Sequence, residues 1–238
     1  MALDTKRQRV LVSLTIFFSF AAIGLIVASF ATDNWISANA VKTNNTNDNS
    51  TVNQNDGTKK FSANITFGLF RGRKLINYGF GAREQLLDVR EEAYNFGLFS
   101  FGLWVATIIC GALGIVWGLI HVAFAVFNVV AKPIETITGP FGLYVWNGLA
   151  FLFTLLAMVL YLVLYFGQYK KNVLSAEDVS QQYTSEDRAY LDFSFYFVVG
   201  AVVAFVVNFV LLLLSGTKMR CSFMREAEKV MDNGIILY

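Results

Sequence analysis

Four long stretches without Asp, Glu, Lys or Arg divide the chain: Val10 to Ala31, Phe96 to Val130, Leu143 to Phe166 and Phe193 to Leu214. Each reaches or exceeds the ~20 residues that carry a helix across a bilayer. The second and third would fuse into one run but for Lys132 to Tyr144, K-P-I-E-T-I-T-G-P-F-G-L-Y, which holds both prolines of the chain, Pro133 and Pro140. A proline removes an amide and disfavours helix in the residue before it, so Pro133 ends one span and Gly139-Pro140 opens the next. The pattern predicts an all-α membrane protein, a four-helix transmembrane bundle with a small antiparallel sheet in its first loop. The spans are placed at 10–31, 96–130, 142–167 and 192–214, with a hairpin at 131–141. Loops at 32–95 and 168–191 lie on the opposite side from the ends, 1–9 and 215–238.

Strand periodicity appears in the first loop. Phe61, Ala63, Ile65, Phe67 and Leu69 alternate with Ser62, Asn64, Thr66 and Gly68, and Ile36, Ala38 and Ala40 alternate with Ser37 and Asn39. That period of two predicts two antiparallel strands, each with one buried face. Thr43 to Lys60 between them is polar, with Asp56-Gly57 as a turn signal and no apolar period, and reads as a mobile tip. Arg83 to Asn95, with Leu86, Leu87, Arg90, Ala93 and Tyr94 three and four apart, predicts a helical lead into the second span. In the second loop, Ser175-Ala176-Glu177-Asp178 has the spacing of a weak capping box.

Composition agrees with the runs: 55% of residues are apolar and 16% aromatic. The net charge of +2 is small and spread, which argues against nucleic acid. Cys110 and Cys221 are the only cysteines and His121 the only histidine, so the chain offers no disulfide framework, no zinc site and no other cofactor site. Three sequons, beginning at Asn44, Asn49 and Asn64, all fall in the first loop. They place that loop outside the cytosol, as candidate N-glycosylation sites of a chain trafficked through the secretory pathway. Lys and Arg counts alone do not orient the spans, since a loop of this length is largely exempt from the positive-inside rule. Lys6, Arg7 and Arg9 precede the first run and suit a cytosolic N-terminus; a cleaved signal ending near Ala38-Asn39-Ala40 is the rival reading.

Within the second span Gly111, Gly114 and Gly118 include a G-x-x-x-G, which lets another helix approach closely, either inside the bundle or as a homo-oligomer face. His121 reads as a hydrogen-bonded packing residue, there being no carboxylate within the spans to pair with it. The tail carries Lys218, Arg220 and Arg225 beside the inner leaflet, and Cys221 where palmitoylation or a plain thiol both fit. Phe223, Met224, Ala227, Val230 and Met231 share one helical face. The chain ends Ile235-Ile236-Leu237-Tyr238, in which Ile236 and Tyr238 fit a strand-adding PDZ ligand or are simply an apolar end.

Several motifs, in order, resemble the clarins, four-span glycoproteins distantly similar to claudins. They are F-G-L-F-R-G at Phe67 to Gly72, G-F-G-A-R at Gly79 to Arg83, the hairpin motif including Lys132, Pro133, Glu135, Thr136, Gly139 and Pro140, Leu174-Ser175, and the final I-L-Y. Trp35 with Gly68, Leu69 and Phe70 is similar to the Trp and Gly-Leu-Trp of the claudin-type first loop, which implies a sheet packed over the bundle. Gly79, Gly81 and Arg83 belong to the same resemblance. One departure stands out: the family resembles claudins in carrying a cysteine pair in the first loop, whereas Tyr78 stands where the second cysteine would be and the stretch after Trp35 has none. The sheet is then expected to be held by packing rather than by a crosslink.

The resemblance implies a non-enzymatic organiser at the plasma membrane, associated with sensory cells, synapses and actin-rich specialisations. Its partners would be the lipid bilayer, other membrane proteins along helix faces, and a PDZ or actin-linked scaffold. A claudin-like adhesive barrier is the alternative. A channel, transporter or auxiliary subunit is disfavoured by spans without charged residues, and an enzyme by the want of a nucleophile, base and orienting group in one place.

Overall fold

The structure, a computed structural model, describes residues 6–42, 61–94, 98–130 and 139–215. Asn44, Asn49, Lys132, Pro133, Glu135, Thr136, Cys221, Ile236 and Tyr238 lie outside the described residues.

Four long apolar helices and an antiparallel sheet make up the fold, as the hydrophobic pattern predicts. The helices are α1 (Lys6–Ala31), α3 (Phe101–Val130), α4 (Pro140–Leu164) and α6 (Phe193–Leu214). All four are long and apolar enough to cross a membrane. Pro140 is the first residue of α4, where a missing amide costs nothing. At its other end α4 passes into one π-helical turn, Tyr165–Tyr169.

Between α1 and α3 come β1 (Ile36–Lys42), β2 (Ser62–Phe67), β3 (Arg71–Asn77), β4 (Ala82–Asp88) and the short helix α2 (Val89–Tyr94). Between α4 and α6 lie α5 (Ala176–Ser180), β5 (Tyr183–Thr184) and β6 (Ala189–Leu191). The strands pair in the order β4-β3-β2-β1-β5, and β6 also pairs with β1. Ile36 faces Phe67, Asn64 faces Leu75 and Lys74 faces Gln85, all antiparallel.

Three expectations are corrected. The sheet is not confined to the first loop, because the second loop supplies β5 and β6. The helical lead proposed for Arg83 to Asn95 is a strand as far as Asp88 and helix only from Val89. Pairing with β3 overrides the three-and-four spacing of Leu86, Leu87 and Arg90, since seven cross-strand partners outweigh one amphipathic turn. The helix of the second span starts at Phe101, not Phe96.

The described residues fall into two compact units. One is drawn from Met1–Gly24, Ala112–Thr154 and Ala201–Tyr238. Its core gathers Val12, Ala125, Leu143, Tyr144 and Leu212, and its polar groups pair across helices. Asn208 donates to Ser19 Oγ (2.8 Å) and Asn147 to the Phe205 carbonyl (3.1 Å). His121 Nδ1 lies 3.2 Å from the Leu143 carbonyl oxygen. Because a carbonyl only accepts, that nitrogen carries the proton. Gly114 abuts Thr154, and Gly118 abuts Ile23 and Phe205.

The other unit, Leu25–Gly111 with Leu155–Gly200, contains the sheet. Its core runs from Trp35, Ile36, Ile65, Phe67 and Leu69 of the first loop to Tyr161, Tyr165, Val173, Leu174 and Phe195. Gly111 abuts the ring of Phe30 there. Each of the three glycines singled out in the second span therefore meets another helix of the same chain.

Candidate functional site: the junction of the two loops

Trp35 is the anchor of the sheet. It is fully buried, its Nε1 donates to the Ser29 carbonyl (2.7 Å) and its backbone N–H donates to Phe67 (2.7 Å). Its ring lies 4.5 Å from that of Tyr161. Gly68 makes the close approach that locks this end: a Cβ there would sit 2.7 Å from both the Asp33 Cα and the Thr32 carbonyl oxygen, atoms of backbone that cannot swing aside. Leu69 is buried and its carbonyl accepts from Trp104 Nε1 (2.8 Å). Phe70 is exposed, its ring edge-on to Phe30. The residues Trp35, Gly68, Leu69 and Phe70 thus sit together, tying the loop to α1 and α3.

At the other end of the strands the hairpin between β3 and β4 is shaped by Asn77. Its side-chain oxygen accepts the backbone N–H groups of Gly79 (2.8 Å) and Gly81 (3.3 Å). Both glycines have φ above +100°, a region costly for a residue with a Cβ. Phe80 between them is held almost wholly in solvent. Arg83 is exposed at the start of β4, the edge strand.

The feature that sequence reasoning missed lies between these ends. Lys74, in the middle of β3, forms a buried ion pair with Asp178 of α5. Asp178 also accepts from Ser175 Oγ (2.9 Å) and from the Tyr78 hydroxyl (3.3 Å). Ser175 therefore does not cap α5 with its side chain, as its spacing had suggested, but spends its hydroxyl on Asp178. Tyr78 packs edge-on against Tyr183 (5.9 Å), whose own hydroxyl donates to the Asn77 carbonyl (3.1 Å). Burial and the neighbouring Asp178 carboxylate together raise the Tyr78 hydroxyl above its ordinary range, and the same two causes act on Tyr183. Burial also lifts the Glu92 carboxyl of α2, against the lowering pull of Lys74.

A signal for this pair was present. Gly72, Lys74 and Ile76 are alternate residues of β3, and alternation turns all three to the covered face. A lysine there needs a partner. Tyr78, at the position where the resemblance implies a cysteine, contributes a hydrogen bond and a ring contact between the loops rather than a covalent link.

Chemically, the arrangement joins the two loops by an ion pair, hydrogen bonds and a ring contact. Among the described residues, no group of three or more His, Cys, Asp or Glu is placed to hold a metal.

Comparison with known proteins agrees with this architecture. A family model described as Clarin-2, Clarin-2-like, matches residues 7–213. Clarin-3 of Homo sapiens is 25% identical over 236 residues, 97% of this chain and 96% of that one. Clarin-1 of Homo sapiens is 24% identical over 242 residues, covering 95% and 96%. Clarin-3 of Rattus norvegicus is 36% identical over 121 residues, about half of each chain. With four apolar helices, a sheet-bearing first loop and a family match over most of its length, this multi-pass membrane protein belongs to the clarin family.

Proposed function

We propose that the chain is a non-enzymatic clarin-type organiser at the plasma membrane, with both ends cytosolic and the joined loops outside the cell. The loops form one recognition body, and the tail from Lys218 to Tyr238 docks a PDZ or actin-linked scaffold beneath the bilayer. In this reading the protein gathers partner membrane proteins at sensory-cell, synaptic and actin-rich specialisations. The observation that carries it is the loop junction itself. A lone exposed loop needs no buried ion pair, whereas a surface that must present one shape to a partner loses less entropy on binding when it is rigid beforehand.

Proximity labelling from the C-terminus in native cells, with and without Lys74→Met, tests the proposal. Loss of partners outside the bilayer with retention of cytosolic ones supports it; an unchanged set of neighbours speaks against it. Cell–cell adhesion is the second reading, favoured by Phe80, which is 97% exposed on a hairpin held by Asn77. Aggregation of expressing cells that is abolished by Phe80→Ser would prefer it.

A further inference from the structure

Polar links run as a closed ring through the four long helices, all within the unit that holds His121. From α3, His121 Nδ1 donates to the Leu143 carbonyl of α4 (3.2 Å). One turn further along α4, Asn147 donates to the Phe205 carbonyl of α6 (3.1 Å). Three residues beyond Phe205, Asn208 donates to Ser19 Oγ of α1 (2.8 Å). The ring closes at Gly118, three residues before His121, where a Cβ would meet Ile23 of α1 and Phe205 of α6. Residues three and four apart share a helix face, so these side chains occupy neighbouring levels of one interior. His121, Asn147 and Asn208 are each fully buried, and each leaves part of its hydrogen-bonding capacity unused. Among the described residues, His121 Nε2 and the side-chain oxygens of Asn147 and Asn208 meet no partner. With the proton on Nδ1, His121 Nε2 is an acceptor, as the two amide oxygens are. Two buried donors beside the ring are also unmatched: the indole N–H groups of Trp117, one turn before His121, and of Trp146, next to Asn147. Buried polar groups nearly always have partners, so each exception calls for one.

We propose that this ring encloses a water-binding site, in which bound water donates to His121 Nε2 and to the amide oxygens of Asn147 and Asn208. Each water has two O–H groups, so three acceptors take more than one molecule. The chemistry of the groups selects water over the other small ligands. A cation would satisfy the acceptors, but α1, α3, α4 and α6 contain no Asp or Glu to neutralise it, and an unpaired charge out of water is costly. An anion would satisfy only the indoles. A lipid or sterol hydroxyl would have to carry its hydrocarbon among side chains that are fully enclosed. Water is neutral, both donates and accepts, and when buried ordinarily makes about three hydrogen bonds to groups of this kind. His121 is then more than a packing residue: one ring nitrogen ties α3 to α4 and the other is a water ligand. Asn147 and Asn208 each serve twice in the same way, by a direct bond to the next helix and by a bond to the shared water. The site does not depend on which side of the membrane the loops occupy.

The test exploits His121 being the only histidine of the chain. Full-length protein, isotope-labelled at the histidine nitrogens alone and reconstituted in phosphatidylcholine bilayers with deuterated acyl chains, gives the signals of a single imidazole in solid-state NMR. The expected spectrum has a protonated Nδ1, an unprotonated Nε2 shifted as a hydrogen-bonded acceptor, and magnetisation passing from water protons to Nε2 that disappears in heavy water. Asn147→Leu and Asn208→Leu are each expected to weaken that transfer several-fold while the Nδ1 proton signal, which reports the intact bond to Leu143, is retained. Should either variant lose the Nδ1 signal and so fail to fold, the wild-type spectrum decides by itself. A proton on Nε2, or an Nε2 with the shift of a free acceptor and no transfer from water, overturns the proposal. Transfer from added protonated cholesterol in place of water assigns the acceptors to a sterol hydroxyl and overturns it as well. Undiminished transfer in both folded variants overturns the sharing of water among the three side chains.

Discussion

Lys74 and Asp178, 104 residues apart in sequence, form a buried ion pair that joins β3 of the first loop to α5 of the second. Removing one partner of such a pair strands a charge out of water, which typically costs about 3–5 kcal/mol. Lys74→Met and Asp178→Asn are each expected to destabilise the protein by that order, read as unfolding in detergent micelles. Lys74→Met combined with Asp178→Leu is expected to recover most of the loss, because an apolar pair of similar volume needs no charge compensation. Additive losses in the double variant would contradict the pairing.

Gly68 predicts a sharper effect from a smaller change. One added methyl at this position meets backbone at 2.7 Å on two sides. Gly68→Ala is expected to cost several kcal/mol, at or above the ~1–3 kcal/mol typical of overpacking, and to lower the yield of folded protein. Trp35→Ala should fall in the ~3–5 kcal/mol range of large buried aromatics. Wild-type thermal unfolding of Gly68→Ala would show that the Trp35 anchor does not require this approach.

The glycines of the spans are not equivalent. A Cβ on Gly114 would lie 2.5 Å from Thr154 Oγ1, which donates to the Ala150 carbonyl, whereas a Cβ on Gly24 would meet nothing within 4 Å. Gly24→Ala is expected to be neutral or to stabilise by up to about 1 kcal/mol through helix propensity. Gly114→Ala is expected to destabilise, as measured by resistance to a denaturing detergent. The reverse order would remove Gly114 from the packing.

Asp192 sets an acid limit. Burial raises its carboxyl, but hydrogen bonds from Ser37, the Phe193 backbone N–H and Asn34 outweigh that and hold it below the ordinary range. A folded pKa below the unfolded one means that the carboxylate stabilises the fold above about pH 4 and that this contribution is lost as pH falls through the lower folded value. Asp192→Asn should flatten that part of the acid unfolding curve. An unchanged acid limb would assign the sensitivity to other carboxylates.

The spans, β1 and β2 were legible because each is a local pattern: an uncharged run, or an alternation such as Ala63, Ile65 and Phe67. The role of β4 was not, because Leu86, Leu87 and Arg90 carry a helical spacing that only pairing with β3 overrides. Lys74 was not singled out in the sequence, since its partner Asp178 comes from a segment 104 residues away whose Ser175-x-x-Asp178 spacing suggested a local cap instead. Trp35, Gly68 and Leu69 were found through resemblance. Their physical reason, the backbone contact at Asp33 and the Trp104 bond to Leu69, needed three-dimensional proximity.

Membrane topology tests the account most directly. Epitope tags placed at residue 1, at residue 238 and within residues 43–60 can be probed with antibody on intact and permeabilised cells. The account predicts that the tag within 43–60 stains intact cells and that the two end tags stain only after permeabilisation. Staining of either end on intact cells, with the 43–60 tag hidden, would contradict the four-span arrangement with joined loops outside.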